Sequence, residues 1–465
     1  MTDRPDVLFV VLDSLRTDRV STYGADRETT PALDRFAERA TRYDSAYVPA
    51  PWTLPSHCSL FTGRAPTEHG VTNGFSDRRP ALPDDERTVA ETLSGRGYRT
   101  AGFSNNPWVG QLSGLDRGFD HFVEWDLEVS RAGADERRRD AAYSRLHSVL
   151  GRVTRQPLVL LKRRFFTGNL VTRARRWFDR ESCPTFTFLN LMEAHSPYYP
   201  PERAFEELGL SAPGPLEARS LNTKLLANVL GKRDLSADER RRVRDFLDAS
   251  IRYQDREFDR LLDGLRDRGR FEDALVVVAA DHGKTLGEFD RDATPPHYLR
   301  DINVRVPLLV KRPGQTTAET VADPVELAGL FDLLVAPAAT AEQTAGDARP
   351  VPSLATDDGY ALVEDHVPHT ADEATEVERW RALADGERTY LAGPDGAEYL
   401  LRGRGPDERT VPLSSVDDAV LERFRDALAA RVDGFEAGGE RPGDAPAESM
   451  DEQVASQLQD LGYLG

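Results

Sequence analysis

The chain has 465 residues, 79 Asp or Glu against 60 Lys or Arg, a formal charge of -19 and two cysteines, which is length enough for one large α/β domain or two unequal ones. Such acidity argues against nonspecific nucleic-acid binding; with only five lysines among the cations, it reads as a carboxylate surface hydrated for strong brine. Cys58 and Cys183 argue against a disulfide framework and cannot by themselves make a cysteine zinc site, and neither a signal peptide nor a membrane span is legible, so a cytoplasmic protein is expected.

From Asp6, the run Val7-Leu8-Phe9-Val10-Val11-Leu12 has the continuous apolar pattern of a strand buried on both faces of a parallel sheet. It ends at Asp13. Ligands gather where such strands stop, which makes Asp13 a candidate site residue, although an Asp there also suits a helix cap. Thr30 to Ala40 opens with a cap and Pro31 and then repeats apolar residues at helical spacing, predicting a surface helix. The stretch Pro51-Trp52-Thr53-Leu54-Pro55-Ser56-His57-Cys58-Ser59-Leu60-Phe61-Thr62-Gly63-Arg64 packs a hydroxyl, a kinked turn and a helix start into one segment. Pro51 and Pro55 stiffen the backbone around Thr53, and Leu60-Phe61 begins an apolar stripe. A hydroxyl beside a helix N-terminus faces unpaired N–H groups and the positive end of the dipole, so Thr53 is read as a nucleophile toward an anionic group.

Thr88 to Arg96 predicts an amphipathic helix stopped by Gly97, and Tyr98 to Ser104 a core strand followed by Asn105 and Asn106. These two are either turn residues or amides able to donate to a substrate oxygen. Residues 131–180 hold 14 Arg or Lys against four Asp or Glu, a local charge of +10, around Pro157-Leu158-Val159-Leu160-Leu161 and Phe165-Phe166. Either this basic helical insertion makes peripheral contact with an anionic membrane or polyanion, or its arginines pair with the protein's own acidic surface.

Thr185 to Leu191 predicts the next central strand and leads to His195-Ser196-Pro197, putting His195 at the same sheet end as Asp13. Ser236 to Arg268 is a long helical pattern. Ala274 to Ala280, the most hydrophobic strand, ends in Asp281-His282-Gly283: a carboxylate, an imidazole and a residue that allows a tight turn, suited to delivering two ligands to one cation. Lys284 follows, with an ammonium able to reach a substrate anion, and Pro295-Pro296-His297-Tyr298 precedes the apolar run Val304 to Val310. A short helix is expected over Val325 to Leu334. Strands are expected at Tyr360 to Glu364, Trp380 to Ala384, Arg388 to Ala392 and Glu398 to Arg402.

Thr53-Leu54-Pro55-Ser56-His57 with Phe61-Thr62-Gly63-Arg64, Thr30-Pro31-Ala32-Leu33-Asp34, His195-Ser196-Pro197, Asp281-His282-Gly283 and Arg305-Val306-Pro307-Leu308 occur in the order found in the sulfatases of the alkaline phosphatase superfamily. The chain resembles that family over roughly residues 5 to 310, and its composition resembles haloarchaeal proteins. The resemblance implies an α/β alkaline-phosphatase-like fold, with a large, mostly parallel central sheet flanked by helices and a small C-terminal antiparallel sheet. It implies a catalytic domain over 1–340 (the insertion being 131–180), an α+β subdomain over 341–433, an acidic linker over 434–450 and a helix over 451–465.

By the same resemblance, Asp13, Thr53, Asp281 and His282 would gather around one divalent cation, Ca, Mg or Mn. His195 and His297 would be the acid candidates, with His57, Lys284 and Asn106 on the substrate, and Asp255 would serve packing. Three departures stand out. Sulfatases carry, at the position of Thr53, a Cys or Ser that is oxidised to formylglycine, which threonine cannot become. His57 stands where an arginine braces that residue, and Ser14 where many sulfatases have a second Asp. Threonine in this slot is similar to the phosphodiesterase and phosphoglycerol transferase branches of the superfamily. The expectation is a metal-dependent hydrolase of sulfate or, given Thr53, phosphate or phosphonate esters, acting through a covalent threonine intermediate. The alternatives are a phosphoglycerol- or phosphoethanolamine-type transferase acting on lipid or glycan, and a noncatalytic anion-binding homologue. The number of subunits is left open.

Overall fold

The computed structural model describes residues 4–72, 81–124, 127–130, 166–181, 184–229, 231–290, 292–293, 298–338, 354–368 and 377–438. His297, residues 131–165 of the basic stretch and the helix expected over 451–465 lie outside them.

The strands in chain order are β1 (Val7–Leu12), β2 (Thr41–Tyr47), β3 (Arg99–Ser104), β4 (His121–Glu124), β5 (Leu127–Ser130), β6 (Thr185–Leu191) and β7 (Leu275–Ala279). A hairpin of β8 (Thr285–Leu286) and β9 (Asp292–Ala293) follows, then β10 (Arg305–Lys311), β11 (Glu319–Val321) and β12 (Val325–Glu326). Leaving the hairpin aside, the main sheet runs β11-β2-β10-β7-β1-β6-β3-β4-β5, with β12 also on β2. β7, β1, β6, β3 and β4 are parallel; β10 lies antiparallel between β7 and β2. β1 is the centre. Its residues Val7 to Leu12 pair with Phe186 to Leu191 on one side, and Val7 to Val11 pair with Leu275 to Ala279 on the other, all buried. A strand covered on both faces has no side for a polar residue, which is why its sequence is continuously apolar. Truncating a ring such as Phe9, 0% exposed, would cost about 3–5 kcal/mol.

The helix Thr53–Thr62 is buried at every position and ends at Gly63, whose φ of 74° is left-handed. A Cβ there would also stand 3.0 Å from the Cβ of Phe331, so both conformation and space select glycine. Helix Pro31–Ala37 receives its cap from a distant residue: Asp255, on the long helix Ala237–Arg266, accepts from the N–H groups of Ala32 and Leu33 at 2.8 and 2.9 Å. Unpaired N–H groups at a buried helix start need such an acceptor.

Helix Phe166–Arg180, the described part of the basic stretch, buries Leu170, Val171, Ala174, Trp177 and Phe178. Its Arg175 donates to Asp267 at 3.1 Å, and Asp179 pairs with Arg268, so in this part charges meet the protein's own opposite charges. The segment expected to be helical from Val325 instead begins as a strand, because Val325 pairs with Ala46 at the sheet edge; helix Leu330–Val335 follows a short turn.

The C-terminal sheet is antiparallel, in the order β13 (Ala361–Pro368), β14 (Val377–Ala384), β15 (Arg388–Ala392), β16 (Glu398–Arg402), β17 (Arg409–Val411). Helix Asp418–Gly438 lies on it through Leu421, Phe424 and Leu428, packed with Leu383, Tyr390 and Leu400. The helix continues past residue 434, where a linker was expected, through Glu436 and Ala437, both good helix formers. Among the described residues, no helix is long and apolar enough to cross a membrane.

Candidate active site

Four neighbouring parallel strands deliver polar residues to one edge of the sheet. Asp13 follows β1, Asp281 and His282 follow β7, Asn106 follows β3, and His195 follows β6, which carries Asn190 itself. One ligand atom each from Asp13, Asp281 and His282 lies within 4.8 Å of the others, all buried. Thr53 is the first residue of its helix, and its Oγ1 is 3.2 Å from His282 Nε2. His282 Nδ1 is 2.7 Å from the carbonyl of Gly283, a contact in which Nδ1–H donates. That fixes the tautomer and turns the Nε2 lone pair toward Thr53. Gly283 is required by proximity, since a Cβ would fall 2.1 Å from the carbonyl oxygen of Ile302.

Ser14 joins the two carboxylates. Its N–H donates to Asp281 Oδ1 and its hydroxyl to Asp13 Oδ1, both at 2.9 Å. Its φ of 60° is left-handed, a conformation that costs a non-glycine residue energy and is kept only where the surroundings enforce it. Asn106 Nδ2 donates to Asp13 Oδ2 at 2.7 Å, and Asn190 Nδ2 approaches the same oxygen at 3.4 Å.

Electrostatics separates the two acids. Burial and the neighbouring Asp13 push Asp281 up to about 7. Burial would raise Asp13 too, but His195, His282 and His57 hold it below the usual carboxylate range. Asp281 Oδ2 accepts no hydrogen bond among the described residues; His57 Nδ1 and His282 Nε2 stand 3.5 Å away. A buried carboxylate oxygen without a donor is costly unless something else satisfies it. Two carboxylates, an imidazole lone pair and that unsatisfied oxygen fit a hard-to-borderline divalent cation.

Of the residues expected on the substrate, His57 is wholly buried, donating from Nδ1 to the carbonyl of Thr53 at 2.9 Å. Lys284 Nζ donates to the carbonyl of Ala194 at 2.5 Å and to Tyr198 Oη at 3.3 Å, against the segment bearing His195, and burial pushes it down to about 7. His195 holds the carbonyl of Ser196 with Nδ1 at 2.5 Å, and burial pushes it down to about 4. Ser14 and Asn190 carry contacts that the sequence reading missed. An amide near the carboxyl end of a strand of apolar residues and threonines was the available signal for Asn190.

A mostly parallel sheet with a buried hydroxyl, carboxylates and imidazole at its carboxyl edge defines an α/β ester hydrolase of the alkaline-phosphatase type. Residues 5–336 match the family described as Sulfatase, and the chain belongs to this family of hydrolases. It is similar to choline-sulfatase of Rhizobium meliloti, 25% identical over 469 residues that span 93% of this chain and 88% of that protein. A sulfatase of Formosa agariphila is 24% identical over 356 residues, 72% of this chain and 69% of that one. The solved structure of a phosphonate monoester hydrolase from Silicibacter pomeroyi shares the fold, with a TM-score of 0.68 at 19% identity over 96% of this chain and 100% of that chain.

Proposed function

We propose that the protein is a metal-dependent hydrolase of anionic esters, phosphate or phosphonate rather than sulfate, in which Thr53 forms a covalent ester with the substrate. The observation that carries this reading is the 3.2 Å approach of Thr53 Oγ1 to His282 Nε2 beside Asp13 and Asp281, at a helix start. The preference for phosphorus rests on chemistry: Thr53 stays a hydroxyl, and the similar fold of a phosphonate monoester hydrolase supports it.

Asp13, Asp281, His282 and Thr53 would hold one divalent cation, Ca, Mg or Mn. When bound, such a cation supplies Lewis acidity, lowering the pKa of an adjacent hydroxyl and drawing charge off an ester oxygen. Thr53 Oγ1 releases its proton to solvent and bonds to phosphorus as the bond to the leaving alcohol breaks. The N–H groups of the first helical turn, together with Lys284, favour the negative charge of the transferring group. An imidazole in its cationic form protonates the departing alcohol, either His297 or His195, which burial pushes down to about 4 and which would take up its proton only with the anionic ester beside it; water then cleaves the threonine ester. Asn106 and Ser14 keep Asp13 oriented throughout, and His57 braces the turn that presents Thr53.

The test is turnover of aryl phosphonate, phosphodiester, phosphate monoester and sulfate esters with Mn, Mg or Ca in high salt, for the wild type and Thr53→Ala. A phosphorus ester turned over only by the wild type, with an ester-sized mass increase mapped to Thr53, is the expected result. No turnover of any ester with any metal would replace this reading with a noncatalytic anion-binding one.

A further inference from the structure

Pro49 lies four residues before the helix bearing Thr53 and Thr67 five residues after its last residue, and one residue of the C-terminal sheet touches both flanking segments. Glu364, on β13, is 1% exposed. Its N–H donates to the carbonyl of Pro49 at 2.9 Å. Its carboxylate accepts from the N–H and the hydroxyl of Thr67, at 3.0 and 2.7 Å. Arg381, on β14, donates to the same carboxylate at 2.8 Å, and His366 Nε2 lies 3.5 Å away. Burial opposes ionisation here, but His366 and Arg381 outweigh it and hold the Glu364 carboxyl well below the usual carboxylate range.

Thr67 lies on the one-turn helix Pro66–His69. Two residues on, His69 Nδ1 accepts from the N–H of Val71 at 3.1 Å, so its Nε2–H donates to Ser59 Oγ, 3.0 Å away in the middle of the Thr53 helix. The hold therefore passes from the C-terminal sheet through Thr67 and His69 into the nucleophile's own helix. That helix is buried all round, mostly among apolar side chains, whose packing is non-directional. Inside its first turn Ser56 Oγ donates to the carbonyl of Asp281 at 2.7 Å, and the directional hydrogen bonds to the segments flanking the helix add a second hold on its position along its own axis. A displacement of about 1 Å at a reacting atom costs on the order of 100-fold in rate.

We propose that Glu364 and Thr67 are positioning residues, a clamp that sets the axial position of the Thr53 helix and makes the C-terminal sheet part of the catalytic apparatus. The catalytic half of this inference rests on Thr53 being the nucleophile; the mechanical half does not.

The experiment uses full-length Thr67→Val, which is isosteric and lacks the hydroxyl donor, Thr67→Ser, which keeps it, and Glu364→Gln. It has two readouts below the melting transition. One is kcat and KM on an aryl phosphonate with Mn, per folded molecule; the other is amide hydrogen exchange over residues 53–62 without metal or substrate. Thr67→Val and Glu364→Gln are expected to lower kcat about 10-fold or more with KM held within about twofold. They should also speed exchange in the first turn of the Thr53 helix, and Thr67→Ser should match the wild type in both readouts. Wild-type exchange and kcat in Thr67→Val would overturn the clamp, as would exchange quickened equally in helix Ala237–Arg266. Local loosening with undiminished kcat would overturn its catalytic half. Full turnover by Thr53→Ala would instead sink the nucleophile assignment, and the exchange result would still decide the mechanical half.

Discussion

Two regions of the molecule bury carboxylates, and they treat them differently. Along the seam between the two sheets, Asp301 receives both arms of Arg305 at 2.8 and 3.0 Å and the N–H of Gly405 at 2.5 Å. Glu364 has Thr67 twice and Arg381. At the carboxyl edge of the main sheet, Asp281 keeps one oxygen without a donor among the described residues, and it is tied to Asp13 through a serine in a strained conformation. Burial of charge therefore does not by itself mark a site, since structural ion pairs are equally buried. Incompleteness does: the seam acids and Asp13 are satisfied by donors the fold provides, while Asp281 Oδ2 finds none among the described residues.

The sharpest break between the regions is in turnover. Thr53→Ala is expected to lower kcat on the order of 10⁶-fold, the scale seen when an essential nucleophile is removed, while calorimetric titration still finds divalent cation bound. Loss of the cation together with turnover would show that Asp13, Asp281 and His282 cannot hold it without Thr53, and would weaken the nucleophile assignment by explaining the lost turnover through the empty site.

Stability should separate the regions in sign. Asp281→Asn is expected to abolish the rise in melting temperature produced by Mn or Mg, yet to leave the metal-free protein more stable than wild type by about 1–3 kcal/mol, since a buried acceptor that lacks a donor is removed from beside Asp13. Asp301→Asn should do the opposite, destabilising by about 3–5 kcal/mol because it strands the Arg305 guanidinium, 8% exposed, without its counter-charge. Melting curves in EDTA decide it; the same sign in both variants would erase the distinction.

Much of the edge was legible in the sequence because each piece obeys a local rule. The apolar runs at Val7 and Leu275 stop at Asp13 and Asp281-His282, and the Pro51 to Thr62 segment announces a helix start at Thr53. The order of those pieces carried the family. What stayed hidden depends on partners far along the chain. Ser14 looks like a neutral replacement until the fold sets Asp281 against its N–H, 267 residues away. His57 looks substrate-facing, yet it turns back onto its own helix. Glu364 sits in a short strand with nothing to advertise that its partner, Thr67, lies 297 residues earlier. Helix ends were misread wherever tertiary pairing outranked propensity, as at Val325, which joins β2 before the helix begins.

Glu408 lies between the two classes and supplies the smallest test. It is 1% exposed, accepts the N–H of Asp301 at 3.1 Å and has Arg300 at 3.4 Å, and burial together with Asp301 pushes it up to about 8. A carboxyl whose folded value lies above its unfolded value of about 4.3 adds stability that is complete below the unfolded value. That contribution is lost as pH rises toward the folded value, at up to about 1.4 kcal/mol per unit. Glu408→Gln cannot ionise. Its melting temperature should therefore match the wild type near pH 4 and exceed it by a growing margin, reaching a few degrees by about pH 8. A constant difference across that range would mean that Glu408 is ionised throughout. It would then belong with the satisfied acids of the seam, with Arg300 and the Asp301 N–H as sufficient partners.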